Sequence, residues 1–409
     1  MSLSAPALPN PNFPSQPLER QVPAVDSDPL ELTIVMPCLN EELTVGTCVE
    51  KALRSLRELG IRGEVIVSDN GSTDRSVEIA EAAGARVVHQ TCKGYGNALR
   101  KGFEEAGGKF VIMGDADDSY DFTDLERFVV LLRSGADMVM GNRLSGEIKP
   151  GAMPWHHRWV GNPALSAFLR ILFRTSVSDS HCGMRGLRRD AYHRLGLQMP
   201  GMEFASEMVI KATLAGLTIV EIPIVLWPDG RNRPPHLRSF RDGWRHLRFM
   251  LMCCPAFLFV LPGLFLTVLA ITAMIIALVA GHGMYDRALG PNFLTGVSLL
   301  SVTGSHLMYF GFLAKLYSHR MDHIFADPKI AWLMRYFTLE RGIMFGLGVF
   351  LAGLACAAPV LIRWIQTQGV NSPGLWILGA TLITLGLEAV FGSFLIAVLE
   401  LKHESQRTA

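Results

Sequence analysis

With 38 Lys and Arg against 37 Asp and Glu, the 409-residue chain carries a formal charge of only +1. That balance gives no electrostatic footprint for nucleic acid, and none is expected as a partner. Its mean hydropathy of +0.28 is high for a purely soluble protein, and its length leaves room for two or three domains.

Residues 1–30 are rich in Pro, Ser and polar groups without an apolar segment, so they read as a disordered leader rather than a secretory signal. The seven cysteines, Cys38, Cys48, Cys92, Cys182, Cys253, Cys254 and Cys356, are odd in number and scattered without metal-ligand spacing, as reduced thiols are. Between about Glu31 and Leu226, short β-branched runs alternate with helical patterns, predicting an α/β unit with a mostly parallel sheet. The predicted strands are Leu32 to Met36, Glu64 to Ser68, Arg86 to His89, Phe110 to Met113 and Met138 to Met140, each of the first four leading into a helix-like segment. Ligands gather at the carboxyl ends of such strands, and the polar motifs fall there. They are Pro37-Cys38-Leu39-Asn40-Glu41-Glu42, Asp69-Asn70-Gly71-Ser72-Thr73-Asp74, Lys93-Gly94-Tyr95-Gly96-Asn97 and Gly114-Asp115-Ala116-Asp117-Asp118. Neither a P-loop nor a Gly-x-Gly-x-x-Gly fingerprint occurs, which argues against an ordinary ATPase or dehydrogenase.

The acidic run carries the most chemistry. Strand side chains alternate faces, so Asp115 and Asp117 are expected on one side, where both reach one hard divalent cation. Mg²⁺ takes one or two protein carboxylates and fills its other positions with water and substrate phosphates, which suits a sparse Asp-x-Asp pair facing a diphosphate.

After Phe249 the composition changes. Four apolar stretches, approximately Pro255 to Gly281, Phe293 to Tyr317, Gly342 to Ile362 and Leu375 to Leu399, each meet the roughly 20 residues needed to cross a hydrocarbon core. Arg238, Arg241, Arg245 and Arg248 precede the first, and Lys315, Arg320, Lys329, Arg335 and Arg341 surround the connection between the second and third. By the positive-inside rule that side is cytosolic, with both termini and the catalytic domain. Trp155 to Phe173 and Leu237 to Met252 mix aromatics and Leu with Arg and His, as expected of helices at a membrane interface or of helices packed on the catalytic core. Within the spans, His306 and Glu388 are costly in hydrocarbon and are expected to face partners, each other or a second subunit. The domain plan is thus a leader (1–30), a catalytic domain (31–236), an interface helix (237–252), a four-helix transmembrane domain (253–401) and a cytosolic tail (402–409).

Taken in order, Ile34-Val35-Met36-Pro37-Cys38-Leu39-Asn40-Glu41, Asp69-Asn70-Gly71-Ser72-Thr73-Asp74 and Asp115-Ala116-Asp117 resemble family 2 glycosyltransferases of the GT-A, Rossmann-like fold. More narrowly, the chain resembles the polyprenyl-phosphate sugar synthases, the group containing dolichyl-phosphate mannose synthase and undecaprenyl-phosphate glucosyltransferases, with motif similarity over about Leu32 to Arg248. The resemblance implies that Pro37, Leu39, Glu41 and Asp69, with Asn40 in the same turn, line the pocket for the donor's base and ribose, with Lys93 close by. Asp115 and Asp117 would hold Mg²⁺ or Mn²⁺ against the donor diphosphate. Some relatives place Gln where this chain has Ser119, whose hydroxyl has a shorter reach. Gly141-Asn142-Arg143 matches the family's Gly-Thr-Arg, and Arg158 the arginine of the next helix; both would face the acceptor phosphate. Val177 to Arg185 resembles the Ser/Thr-Asp-x-x-x-Gly-x-Arg element, and Phe204 to Met208 the acidic helix start, where Glu207 would position the acceptor or an arginine. The Gln-x-x-Arg-Trp signature of processive synthases does not occur, which favours transfer of one sugar.

The chemistry is consistent with this branch. A phosphomonoester has a second pKa of about 6, so a lipid phosphate is already anionic and needs no strong base. The site must instead bring two anions together, a task for cations and orientation, and arginine suits it through its planar, permanently charged fork. Arg143, Arg158, Arg231 and Arg233 are the candidates, the last two in the Gly- and Pro-containing segment Pro228 to Pro235. The expected activity is inverting transfer of one hexose from a nucleotide sugar, UDP-glucose or GDP-mannose, to dolichyl or undecaprenyl phosphate at the cytosolic face of a bacterial inner membrane or its equivalent. A homo-oligomer is expected. Transfer to a glycolipid hydroxyl is the alternative and would need a base, Glu207 or Asp179; a non-catalytic scaffold or translocation partner is a further one.

Overall fold

The structure is a computed structural model describing residues 30–231, 239–279, 290–321, 323–325, 328–367 and 373–407. The expected leader lies outside the described residues but for Leu30, and so does Arg233.

Seven strands form one sheet in the order β3-β2-β1-β4-β6-β5-β7. They are β1 (Leu32–Cys38), β2 (Gly63–Asp69), β3 (Arg86–His89), β4 (Phe110–Met113), β5 (Met138–Ile148), β6 (Arg185–Arg188) and β7 (Ile219–Leu226). Only β6 runs antiparallel, between β4 and β5, so the expected mostly parallel sheet is what the chain builds. The first four strands lead into α1 (Val45–Glu58), α2 (Ser76–Ala82), α3 (Tyr95–Glu105) and α4 (Glu126–Arg133). Each central strand is buried on both faces, as a sheet covered on both sides requires. Ile34, Met36, Val65, Val67, Phe110 and Ile112 pack towards the first core. The intervening Val35, Ile66, Val111 and Met113 pack towards the second. That alternation is the period-2 pattern of the pleat.

Three features differ from expectation. β5 continues through Gly141-Asn142-Arg143 to Ile148, a polar stretch that pairs with β7 across a register shift between Asn142 and Glu147. β6 and β7 were not among the predicted strands: β6 is the polar Arg-Gly-Leu-Arg, and β7 carries Pro223, tolerated because β7 is the sheet's edge. The segment Trp155 to Phe173 is not one α-helix but a π-helical turn, His157–Gly161, leading into α5 (Asn162–Phe173).

The sheet's second face is completed by α5, α6 (Arg189–Leu195), α7 (Phe204–Leu214) and α8 (Ser239–Met252). α8 packs on the catalytic core along one face and leaves another exposed. Asp242, His246 and Met250, four residues apart, are buried against the catalytic core. Phe240 and Trp244 point away, with Phe240 97% exposed. Trp155, Trp159 and Ile171 are likewise exposed, giving aromatic and aliphatic groups suited to lie in a bilayer interface.

Among the described residues, four helical stretches are long and apolar enough to cross a membrane: Ala256–Ala277, Pro291–Arg320, Leu339–Gln366 and Pro373–Leu399. The fourth helix runs on to Arg407, through most of the segment expected as a tail. His306 and Glu388 do meet: Nδ1 of His306 stands 3.6 Å from Glu388 Oε1, while Ser305 Oγ donates to Oε2 at 2.7 Å. The third and fourth spans approach through glycines seven residues apart, Gly346 and Gly353 on one and Gly379 and Gly386 on the other. A Cβ on Gly386 would stand 2.5 Å from the Phe350 backbone nitrogen, and one on Gly353 2.7 Å from that of Ile383. Small residues allow such backbone contact where lipid supplies no hydrophobic drive. Gly386→Leu is therefore expected to lower the thermal midpoint of the detergent-solubilised protein, by overpacking worth about 1–3 kcal/mol. Gly348→Leu, where a Cβ meets nothing within 4 Å, is expected to leave the midpoint unchanged.

Candidate active site

The strand-end loops interlock through backbone capping. Past β1, Asn40 takes the left-handed conformation (φ 58°), which its short polar side chain tolerates. Its amide donates to Ser72 Oγ at 2.9 Å, and its Oδ1 accepts the Thr73 amide at 2.7 Å. Asp69 ends β2 and accepts the amides of Gly71 and Ser72 at 3.1 and 3.0 Å. Burial would raise its pKa, but those bonds and His89 outweigh it and hold the carboxyl below its ordinary value. Asn70 spans to the third loop, accepting the Gly94 amide at 2.7 Å and donating to the carbonyls of Gln90 and Cys92. Lys93 is exposed above Gly71, whose Cβ, if present, would lie 3.5 Å from its ammonium. Pro37, Leu39, Asn40, Glu41, Asp69 and Lys93 thus belong to one connected rim, with Pro37 and Leu39 half-exposed on it.

Asp115 and Asp117 lie beyond the end of β4, in a turn closed by the left-handed Asp118. Turn geometry, rather than the expected strand alternation, therefore brings them together. Burial and the neighbouring Asp117 push Asp115 up to about 6, against the downward pull of the Tyr95 hydroxyl, Arg231 and Arg143. The Tyr95 hydroxyl donates to Asp115 Oδ1 at 2.9 Å. On the other side Gly183 crowds Asp115: a Cβ there would stand 2.7 Å from Oδ2. Asp117 is fixed by Ser119, whose hydroxyl donates to Oδ1 at 2.6 Å and whose amide does so at 3.1 Å. Ser119 orients a carboxylate, which explains how a short side chain serves at that position.

Glu41 completes an acidic triangle, 5% exposed at the first turn after β1. The Arg231 guanidinium sits within it: Nε and Nη2 lie 2.9 Å from the two Glu41 oxygens, and Nη2 lies 3.0 Å from Asp117 Oδ2. Burial opposes its charge, but Asp117, Glu41 and Asp115 outweigh that and keep the guanidinium protonated.

Arg143 comes to the same edge from β5. Met113 of β4 and Met140 of β5 both pair with Arg185 of the intervening β6, so Asp115 and Arg143 extend two and three residues past a common level. Two strand spacings separate them, about 10 Å. Arg143 forms a buried fork with Asp179: Nε to Oδ2 and Nη2 to Oδ1, both at 2.8 Å. Burial raises the Asp179 carboxyl, yet Arg143 prevails and holds it ionised. Glu221 on β7 orients this aspartate's loop by accepting the amides of Ser178 and Asp179 at 3.0 Å. Arg158, in the π-helical turn, is half-buried with its guanidinium 5.2 Å from the centroid of Trp159. Its neighbour His157 lies close enough for the Arg143 charge to help depress its pKa, after the larger effect of burial.

Glu207 is placed elsewhere. Its carboxylate accepts the Gln198 and Met199 amides at 3.0 and 2.8 Å and pairs with Lys211 at 3.2 Å, so it braces the loop before α7 and touches no member of the acidic triangle. His181 stacks edge-on against His246, 4.5 Å between centroids, beneath α8. Tyr95, Glu221 and Tyr120, whose hydroxyl accepts the Gly183 amide at 2.8 Å, are not singled out by sequence reasoning. Tyr95 lay within a motif already noted, and only its register at the start of α3 marks it as facing the acids.

Among the described residues no three His, Cys, Asp or Glu side chains converge as a complete metal cage. Two hard carboxylates side by side, the second of which raises the proton affinity of Asp115, with a guanidinium as counter-cation, nevertheless suit an ion that takes its remaining ligands from water and phosphate.

Residues 33–196 match the model of glycosyl transferase family 2, and residues 312–400 that of the glycosyltransferase family 2 C-terminal transmembrane region. The low-salt glycan biosynthesis hexosyltransferase Agl6 of Haloferax volcanii is 41% identical over 372 residues, 90% of this chain and 89% of that protein. A dolichyl-phosphate hexose transferase of the same organism is 33% identical over 195 residues, 47% of this chain and 82% of that protein. Glucosyl-3-phosphoglycerate synthase from Mycobacterium tuberculosis, solved with Mn²⁺, UDP and glucosyl-3-phosphoglycerate, aligns over 55% of this chain and 80% of its own, at 24% identity and a TM-score of 0.43. The extent of the likeness to the Agl6 hexosyltransferase, together with the two matched regions, shows that this integral membrane chain belongs to glycosyltransferase family 2.

Proposed function

We propose that the protein transfers a single hexose, with inversion, from a nucleotide sugar to a polyprenyl phosphate at the cytosolic membrane surface. The observation that carries this reading is the juxtaposition at one sheet edge of an acid pair suited to a cation–diphosphate and a guanidinium, anchored by Asp179, whose charge suits a second phosphate. Donor base and ribose lie against the rim from Pro37 to Glu41 and Asp69, with Lys93 nearby. Asp115 and Asp117 would hold Mg²⁺ or Mn²⁺, which would supply positive charge to the nucleoside diphosphate. Arg143, kept in place by Asp179, and Arg158 orient the acceptor phosphate, whose anionic oxygen attacks the anomeric carbon. The exposed Trp155, Trp159, Phe240 and Trp244 seat the catalytic domain at the headgroup level where such a lipid presents its phosphate.

The two carboxylates that transfer to a hydroxyl would require as base support the phosphate reading instead. Asp179 is fully buried and held ionised by Arg143, and Glu207 is spent on backbone amides and Lys211. The dolichyl-phosphate hexose transferase relative adds support for the acceptor class.

Purified protein given UDP-glucose or GDP-mannose with Mn²⁺ is expected to release nucleoside diphosphate only when dolichyl or undecaprenyl phosphate is present. Release with glycolipid alcohols alone would overturn the assignment. Arg143→Ala would remove the guanidinium and also strand Asp179 as a buried charge at about 3–5 kcal/mol, so it tests two things at once. Arg143→Lys keeps the charge and loses the fork; turnover is expected to fall about 10- to 100-fold with a near-native thermal midpoint. Tyr95→Phe removes the hydroxyl that orients Asp115. It is expected to raise the Mn²⁺ concentration for half-maximal turnover about 10- to 100-fold, measured by metal titration.

A further inference from the structure

The seating of Arg231 has the form of a built device. Its segment runs beside the acidic turn as an added rung ladder: the Trp227 amide donates to the Ser119 carbonyl at 3.0 Å, and the Gly230 amide to the Asp117 carbonyl at 2.9 Å. Gly230 is pressed against Thr44, where a Cβ would meet Cγ2 at 2.7 Å, so the backbone delivering Arg231 is gripped on two sides. The guanidinium then consumes the oxygens that a metal would use. Asp117 Oδ1 is already engaged by Ser119, and Oδ2 faces Arg231 at 3.0 Å. Both Glu41 oxygens are engaged by the same guanidinium.

Resting on the reading that Asp115 and Asp117 hold a divalent ion, we infer that Arg231 is the resting site's resident cation: it and the metal exclude each other on Asp117 until a nucleoside diphosphate draws the guanidinium away. Three carboxylates around one point are costly without positive charge, and the guanidinium supplies it. A bound ion next to that guanidinium would meet like charge at contact distance, so binding of the ion alone is disfavoured. The diphosphate changes the balance because its oxygens give Arg231 a bidentate partner of equal charge. Metal affinity therefore becomes conditional on nucleotide, and by thermodynamic reciprocity nucleotide affinity becomes conditional on metal. The device keeps the acid pair from being saturated by free divalent ion without substrate.

The test is Mn²⁺ binding to the full chain in detergent, read from the electron paramagnetic resonance of free Mn²⁺, with and without UDP or GDP. Arg231→Gln is expected to tighten nucleotide-free Mn²⁺ binding at least about tenfold, the weight of a charge-assisted bond. It is expected to shrink the gain conferred by nucleotide by the same factor and to weaken metal-free UDP or GDP binding. Glu41→Gln loosens the guanidinium's second anchor and is expected to shift nucleotide-free affinity in the same direction by less. Unchanged or weaker nucleotide-free Mn²⁺ binding by a folded Arg231→Gln protein overturns the inference and makes Arg231 a structural bridge. Mn²⁺ binding that survives Asp117→Asn in full, with nucleotide present, overturns the metal assignment itself and the inference with it.

Discussion

Three carboxylates surround the Arg231 guanidinium where β1 and β4 end, and that concentration of negative charge is the constraint around which the catalytic domain is arranged. Glu41, Asp115 and Asp117 are held there by neutral partners: Ser76 Oγ accepts the Glu41 amide, Tyr95 donates to Asp115 and Ser119 donates to Asp117, and none of these removes the charge. Cations must do so. In the free protein the nearest is Arg231, with Arg143 contributing at longer range. A site balanced this way has a standing demand for positive charge that substrate binding rearranges rather than creates.

The antiparallel strand β6 explains how Arg143 is positioned relative to the acid pair. Inserted between β4 and β5, it spaces the acid pair from Arg143 by a fixed number of strand widths. The loop leading into it, Val177 to Met184, supplies both Asp179 for the arginine and Gly183 for the close wall against Asp115. One loop therefore sets two orientations. Arg185, fully buried, ties the start of β6 to the carbonyls of Ser180, Cys182 and Ala205, so this arginine of the motif is structural.

Much of this was legible in the sequence, for physical reasons that differ by element. β1 to β4 and the four spans were readable because long apolar runs leave few alternatives, and the motif loops because strand ends are where polar clusters serve ligands. β6 and the second half of β5 were not, because Arg-Gly-Leu-Arg and Gly-Asn-Arg-Leu-Ser-Gly acquire strand conformation from their neighbours rather than from propensity. The expected arginines divide accordingly: Arg143 and Arg231 reach the site by tertiary contacts no spacing rule encodes, Arg158 is carried on a turn whose π-helical geometry the pattern did not announce, and Arg233 lies outside the described residues. Glu207 shows the opposite failure, an acid at a helix start whose loop-bracing role is visible only once residues 198 and 199 are seen to close on it.

The short turn His323–Phe325, between the second and third spans, inserts Ile324 and Phe325 into the catalytic domain's second core, beside the cluster that receives α8. The soluble part is consequently moored twice, once through the helix entering the first span and once through this hydrophobic peg. A single tether would let the sheet edge swivel over the lipid surface. Two moorings fix its elevation and tilt, so the sheet edge keeps a constant height over that surface.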